Sequence, residues 1–258
     1  HDGRRWSPRA PQADTTPWPP PRREHALVYD SERQVVLLYG GQSPSLDVLD
    51  DTWAWNGVEW SPLLVSGPGP RVGHAMAYDR GLGMVVLHGG YGMNRTMAGG
   101  EAWLWNGQRW VVDAARGPGP RARASMTFDP ITGCVLMFGG ELERRSPALD
   151  ELWARDIDGW RLLSGGPGSP PPRVSAGLVS VPVLQGVLLF GGRTDNNDGN
   201  LGPSFDDVYL WSQRTGTGTW SRWGDLPLGP RSELAVAEAD ARGGVLVFGG
   251  RTLQTGTP

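Results

Sequence analysis

The chain has 258 residues, 38% hydrophobic and 20% charged, with a formal net charge of −3. It is long enough to bury a core, and its global field excludes general attraction to nucleic acid or an anionic membrane. Glycine (39) and proline (23) exclude long helices and coiled coils, the single Cys134 excludes an internal disulfide and multi-cysteine zinc sites, and no run of about 18 apolar residues marks a membrane span.

The first residues, HDGRRW, align with WNGVEW at 55–60 and supply a fourth strand through Trp6. From there the chain repeats. A Pro-Arg step recurs at Arg22, Arg71, Arg121, Arg173 and Arg231, with spacings of 49, 50, 52 and 58. An apolar run ending in diglycine follows in step, at Gly41, Gly90, Gly140, Gly192 and Gly250. An acid-x-aromatic triplet comes next, at Asp51/Trp53, Glu101/Trp103, Glu151/Trp153 and Asp207/Tyr209, and then a lone Trp at Trp60, Trp110, Trp160 and Trp220.

Each unit reads as four short strands. Residues 74–79 and 84–88 are apolar runs joined by RGLG, and FDPITG at 128–133 supplies the matching turn one unit later. Residues 53–55 and 58–60 flank Asn56-Gly57, and 102–105 and 109–112 flank Asn106-Gly107, a hairpin signal because both residues tolerate positive φ. The units are 22–70, 71–120, 121–172, 173–230, and 231–258 completed by 1–21. A four-stranded unit of this size cannot bury both faces alone, so the copies stack, and radial closure protects their edges. The expectation is one all-β domain over 1–258, a β-propeller of five four-stranded blades closed using the N-terminal strand.

With its diglycine after an apolar strand, an aromatic strand, and a Trp about seven residues on, the unit resembles the kelch repeat over nearly all of residues 1–250. The resemblance implies the same propeller and, because some kelch domains bind acidic peptides through arginines at this first-strand position, a protein or peptide partner. Its bacterial relatives imply an extracytoplasmic location. The family also includes a copper oxidase and iron-dependent specifier proteins, but Cys134 lies inside an apolar strand and the Glu-x3-Asp-x3-His triad is missing from the chain.

Candidate residues follow from the repeat. Five Pro-Arg steps converging on a channel mouth gather Arg22, Arg71, Arg121, Arg173 and Arg231 as a site for an anionic ligand or acidic peptide. Five guanidiniums about 10 Å apart repel by about 1.7 kcal/mol per pair at an effective dielectric of 20, so they need partners. The competing reading pairs them with Asp51, Glu101, Glu151 and Asp207. Arg23, Arg123 and Glu233 break the repeat just after these starts and read as neighbouring selectors. In the long insert of unit four, Asp195, Asp198 and Asn200 crowd oxygen atoms around Gly199, a weak calcium candidate beside the simpler reading of an exposed polar turn at the rim. His25, His74 and His88 read as packed core side chains, with His88 within possible reach of His74. Trp18 and Trp223, outside the register, read as exposed contacts.

No hydrolase, zincin or phosphate-loop motif appears. The reading is therefore a monomeric, non-catalytic interaction module without a cofactor, its ligand at the channel mouth. The alternatives are an isomerase or cyclase acting on a sugar or peptide-derived substrate, with Glu24 or Glu233 as base, and a structural domain of a larger secreted protein.

Overall fold

Period-two apolar runs separated by turn residues make strands wherever the sequence carries them. The computed structural model describes residues 17–144, 146–195, 201–213, 218–239 and 243–252. The first sheet holds β1 (Ala26–Asp30), β2 (Val35–Gln42), β3 (Val48–Trp55) and β4 (Trp60–Leu63), each strand antiparallel to the next. The second holds β5 (Ala75–Asp79), β6 (Met84–His88), β7 (Ala102–Trp105) and β8 (Trp110–Val112). The third holds β9 (Ser125–Asp129), β10 (Cys134–Phe138), β11 (Leu152–Asp156) and β12 (Gly159–Ser164). In the fourth, β13 (Gly177–Val181) and β14 (Gly186–Phe190) are followed by a small hairpin, β15 (Arg193–Asp195) and β16 (Leu201–Ser204), before β17 (Asp207–Ser212) and β18 (Thr219–Asp225). A last hairpin, β19 (Ser232–Glu238) and β20 (Val245–Arg251), stands alone. Among the described residues no helix is long and apolar enough to cross a membrane.

Local chemistry sets the turns. Asn56 Oδ1 accepts the backbone N–H groups of Val58 and Glu59, and Asn106 Oδ1 those of Gln108 and Arg109. Of the two turn residues only the glycine has a positive φ, Gly57 at 97° and Gly107 at 93°. The asparagine acts through its side chain instead. Asp30, Asp79 and Asp129 tie the turns between first and second strands in the same way.

The sheets stack by their first strands, β1 beside β5, β5 beside β9, β9 beside β13 and β13 beside β19. All five line one cavity of about 520 Å³, among them Tyr29, Tyr78, Phe128, Ser180 and Glu238. The arrangement is propeller-like. Closure through Trp6 concerns residues outside those described.

Between sheets, apolar side chains meet across the interface: Leu37 and Tyr39 of the first pack with Met76 and Tyr78 of the second, and the pattern recurs between the third and fourth. Aromatic contacts repeat as well. The last aromatic or histidine of a second strand meets, edge-on, the fourth-strand Trp of the next sheet, as in Tyr39 with Trp110, His88 with Trp160 and Phe138 with Trp220.

The diglycines close these interfaces. The N–H groups of Gly41, Gly90, Gly140 and Gly192 donate to the carbonyls of Arg71, Arg121, Arg173 and Arg231, each at the start of the next unit. Gly89, at φ 70°, sits so near that backbone that a Cβ would lie 1.8 Å from the Arg121 carbonyl oxygen. Gly89→Ala is therefore expected to destabilise the chain by about 2–4 kcal/mol, read as a lowered urea midpoint. A wild-type midpoint would show that the second and third sheets do not meet there.

Candidate functional site

The strand-start arginines share one geometry. In Arg22, Arg71, Arg121, Arg173 and Arg231, Nη1 donates to the carbonyl of the first glycine in its own unit's diglycine, at 3.0, 3.0, 3.3, 2.7 and 3.1 Å. Arg22 forks onto Asp51 at 2.5 and 2.8 Å, Arg173 onto Asp207 at 2.5 and 3.1 Å, and Arg121 reaches Glu151 at 2.9 Å. The indoles of Trp53 and Trp153 donate to the same acids, Asp51 and Glu151. Burial pushes these two carboxyls up, but the hydrogen bonds from Trp and Arg outweigh it and hold both below the usual range.

This corrects the reading of a ring of ligand-facing guanidiniums. Arg71, Arg121 and Arg173 are buried, and a buried guanidinium needs its donors satisfied, so the repeat supplies carbonyls and an acid. Arg71 makes do with carbonyls of Pro68, Gly69 and Gly89, with Glu101 acting at longer range. Arg231 is half-buried and bonds the carbonyls of Gly249 and Leu228. All five brace their own units.

Two residues further on, each unit has one left-handed residue: Glu24, Gly73, Arg123, Ser175 and Glu233, with φ between 54° and 63°. These five form a run of backbone hydrogen bonds across the sheets. Gly73 N–H donates to Glu24, Arg123 to Gly73, Ser175 to Arg123 and Glu233 to Ser175, at 2.7 to 3.0 Å. The run traces an inner arc at the diglycine end of the axis.

Here the units differ, and their side chains converge. Arg123 Nη1 meets Glu141 Oε1 at 2.9 Å and Asp195 Oδ2 at 3.5 Å, with its guanidinium 5.7 Å over the Tyr91 ring. Asp195 also receives Arg193 at 3.1 and 3.4 Å, and Arg193 Nη1 continues to Glu233 at 3.0 Å. Tyr91, Glu141, Arg193 and Asp195 are buried. Burial works against the charge on Arg123, but Glu141, Glu24, Tyr91 and Asp195 around it prevail and raise its pKa. Burial first, and then Glu141, push the Tyr91 hydroxyl up, so it stays protonated as a donor.

Of the three selectors read from the sequence, Arg123 and Glu233 thus join one network. Arg23 is exposed at the same end, with Nε and Nη2 on the neutral Gln42 Oε1 at 3.2 and 2.8 Å. Glu233 lies between Arg193 at 3.0 Å and Arg251 at 3.8 Å. Sequence reasoning missed Tyr91, Glu141 and Arg193. Their signal was available, since they occupy the single position after each diglycine, where Gln42 and Arg251 complete the set.

Asp195 is corrected from calcium ligand to anion between two guanidiniums, surroundings that repel a cation. Asp198 and Asn200 lie outside the described residues, and what was read as an exposed turn at the insert's start is β15, buried at Arg193 and Asp195. His74 packs against Tyr39 and His88 against Trp160, each as a core side chain and not as a pair. Trp223 is exposed, whereas Trp18 leans on Trp55, ring centroids 6.1 Å apart.

No family model matches the chain, and no curated protein does. Among solved structures it is similar to that of YjhT, at 17% identity and a TM-score of 0.71, over 91% of this chain and 78% of that one. The likeness is one of fold.

Proposed function

We propose that the chain is a kelch-type β-propeller serving as a non-catalytic interaction module, which takes a carboxylate-bearing partner, an acidic peptide or small molecule, at the diglycine end of its axis. Arg23 supplies the exposed guanidinium, and Arg123 with its network forms the fixed floor. The observation that carries this reading is the convergence of non-repeating charged residues on the inner arc while the repeated arginines are bonded to carbonyls and acids within their units. Buried ion networks add little net stability compared with apolar packing, and unit two places Gly73 and Tyr91 where unit three places Arg123 and Glu141, so the fold does not require them.

Calorimetric titration with succinate and with a short Glu-rich peptide tests it. Arg23→Gln is expected to weaken binding about tenfold, equivalent to about 1.4 kcal/mol. Arg231→Gln, on the same end but outside the network, should leave it unchanged. Equal losses from both variants, or no saturable binding to the wild type, would remove the site.

A further inference from the structure

Sorted by what each one touches, the charges at the diglycine end fall into a floor and a remainder. In the floor Arg123 and Arg193 stand against Glu141 and Asp195, so the buried charges balance. At its edge Glu233 receives Arg193 and Arg251. Two exposed side chains remain, and they are consecutive in the chain. Arg23 bonds the neutral amide of Gln42 and has no acid beside it among the described residues. The Glu24 carboxylate makes no hydrogen bond or ion pair among those residues and acts on Arg123 only at longer range. The two do not pair with each other.

The backbone fixes where Glu24 stands. Gly73 N–H donates to its carbonyl at 2.9 Å, and its φ of 54° is left-handed, a conformation unfavourable for any residue with a side chain of this kind. Unit two meets the same requirement with Gly73, so the arc needs the conformation and not a side chain. Unit one carries an acid there in spite of the strain. The glycine also clears the space beside that acid. A Cβ on Gly73 would stand 3.7 Å from Glu24 Oε2 and 3.3 Å from Arg123 Cγ. The carboxylate therefore overhangs the one arc residue without a side chain, on the way to Arg123.

A carboxylate left unpaired beside a carboxylate site repels a ligand that is purely anionic, whereas opposite charges fixed one residue apart suit a ligand that carries both. We propose that the ligand brings an ammonium group with its carboxylate, as free glutamate does, or the amino-terminal residue of an acidic peptide. Glu24 accepts hydrogen bonds from the ammonium while Arg23 donates to the carboxylate. An ammonium has only donors and a carboxylate only acceptors, so the pairing leaves no group mismatched. This rests on the reading of Arg23 as the carboxylate anchor and adds the cationic half of the ligand. Glu24 is then the residue that sets specificity.

Glutamate and glutarate differ only in the ammonium, and calorimetric titration compares them. Wild type should bind glutamate at least about tenfold more tightly than glutarate. Glu24→Gln should erase that difference by weakening glutamate, with glutarate unchanged or tighter, and Arg23→Gln should weaken both alike. A Glu-rich peptide with a free amino end and its acetylated form repeat the comparison for a chain end. Preference in that pair alone assigns the site to peptide termini, and preference in the first pair alone assigns it to the free amino acid. The wild-type comparison needs no variant to fold. Preference in neither pair, with glutarate or the acetylated peptide still binding, overturns the inference and leaves the carboxylate site standing. A preference that survives Glu24→Gln overturns it too. Failure of all four probes to bind wild type removes the site and the inference together.

Discussion

Arg173→Met is expected to lower stability by about 3–5 kcal/mol, the cost of leaving a buried carboxylate without its cation. Arg173 is buried, forks onto Asp207, donates Nη1 to the Gly191 carbonyl and Nε to Pro171, and stacks 4.1 Å over Phe205. Methionine keeps part of the volume and none of the donors. At about 2–4 °C per kcal/mol for a chain of this size, the melting temperature should fall by roughly 6 °C or more. The same substitution at Arg231, half-buried and bonded to two carbonyls with no acid to leave unpaired, is the control and should cost about 2 kcal/mol or less. Adding Asp207→Leu to Arg173→Met should recover part of the loss, because the orphaned charge goes too. Equal effects at positions 173 and 231 would mean that the arginine brace contributes through something other than its buried ion pair.

Acidification is expected to destabilise the protein well before its carboxylates titrate. His74 and His88 are buried in sheet interfaces. Burial above all, then Arg71 and His25 around His74 and Arg121 and Arg71 around His88, lowers them from 6.5 to about 3 and about 4. Both folded values lie below the unfolded one, so the unfolded state binds protons more readily. The stability they allow is complete above pH 6.5 and is lost as pH falls from there towards 4 and 3. Each histidine contributes about 1.4 kcal/mol per pH unit in that window, so between pH 7 and pH 5 the pair should account for about 4 kcal/mol. Urea melts at the two values measure it. His88→Phe, which installs the residue found at Phe138 and Phe190, should roughly halve the pH dependence. Coincident wild-type melts would show that these imidazoles are not buried neutral.

Most of the scaffold was legible because its determinants are local. Alternating apolar residues, an aspartate before the first turn of the first three units, Asn-Gly before the fourth strand of the first two and a diglycine at the end of each second strand act within a few residues of themselves. Period comparison then placed Arg123 and Glu233 as exceptions without any knowledge of their surroundings. The unit-four insert was harder, since RTD and LGPS carry no strong strand pattern and form a hairpin only because Arg193 and Asp195 are held by the neighbouring network.

Arg155 shows the limit from the other side. It stands where other units have Trp55, Trp105 and Trp211, and its partners Asp113 and Asp79, at 2.8 and 3.4 Å, come from the adjacent sheet. No spacing rule announces a triad whose members are 42 and 76 residues apart.

By itself the amino-acid order determined the repeat, its strands and turns, and the places where copies diverge, because hydrophobic period and turn chemistry are properties of neighbouring residues. The tertiary structure alone decided which arginines are spent on carbonyls and acids and which face outward. Whether a guanidinium is neutralised depends on what lies within about 3–4 Å of it. For Arg22, Arg123 and Arg173 those atoms arrive from 18 to 72 residues away in the chain, carried in by sheet pairing and stacking.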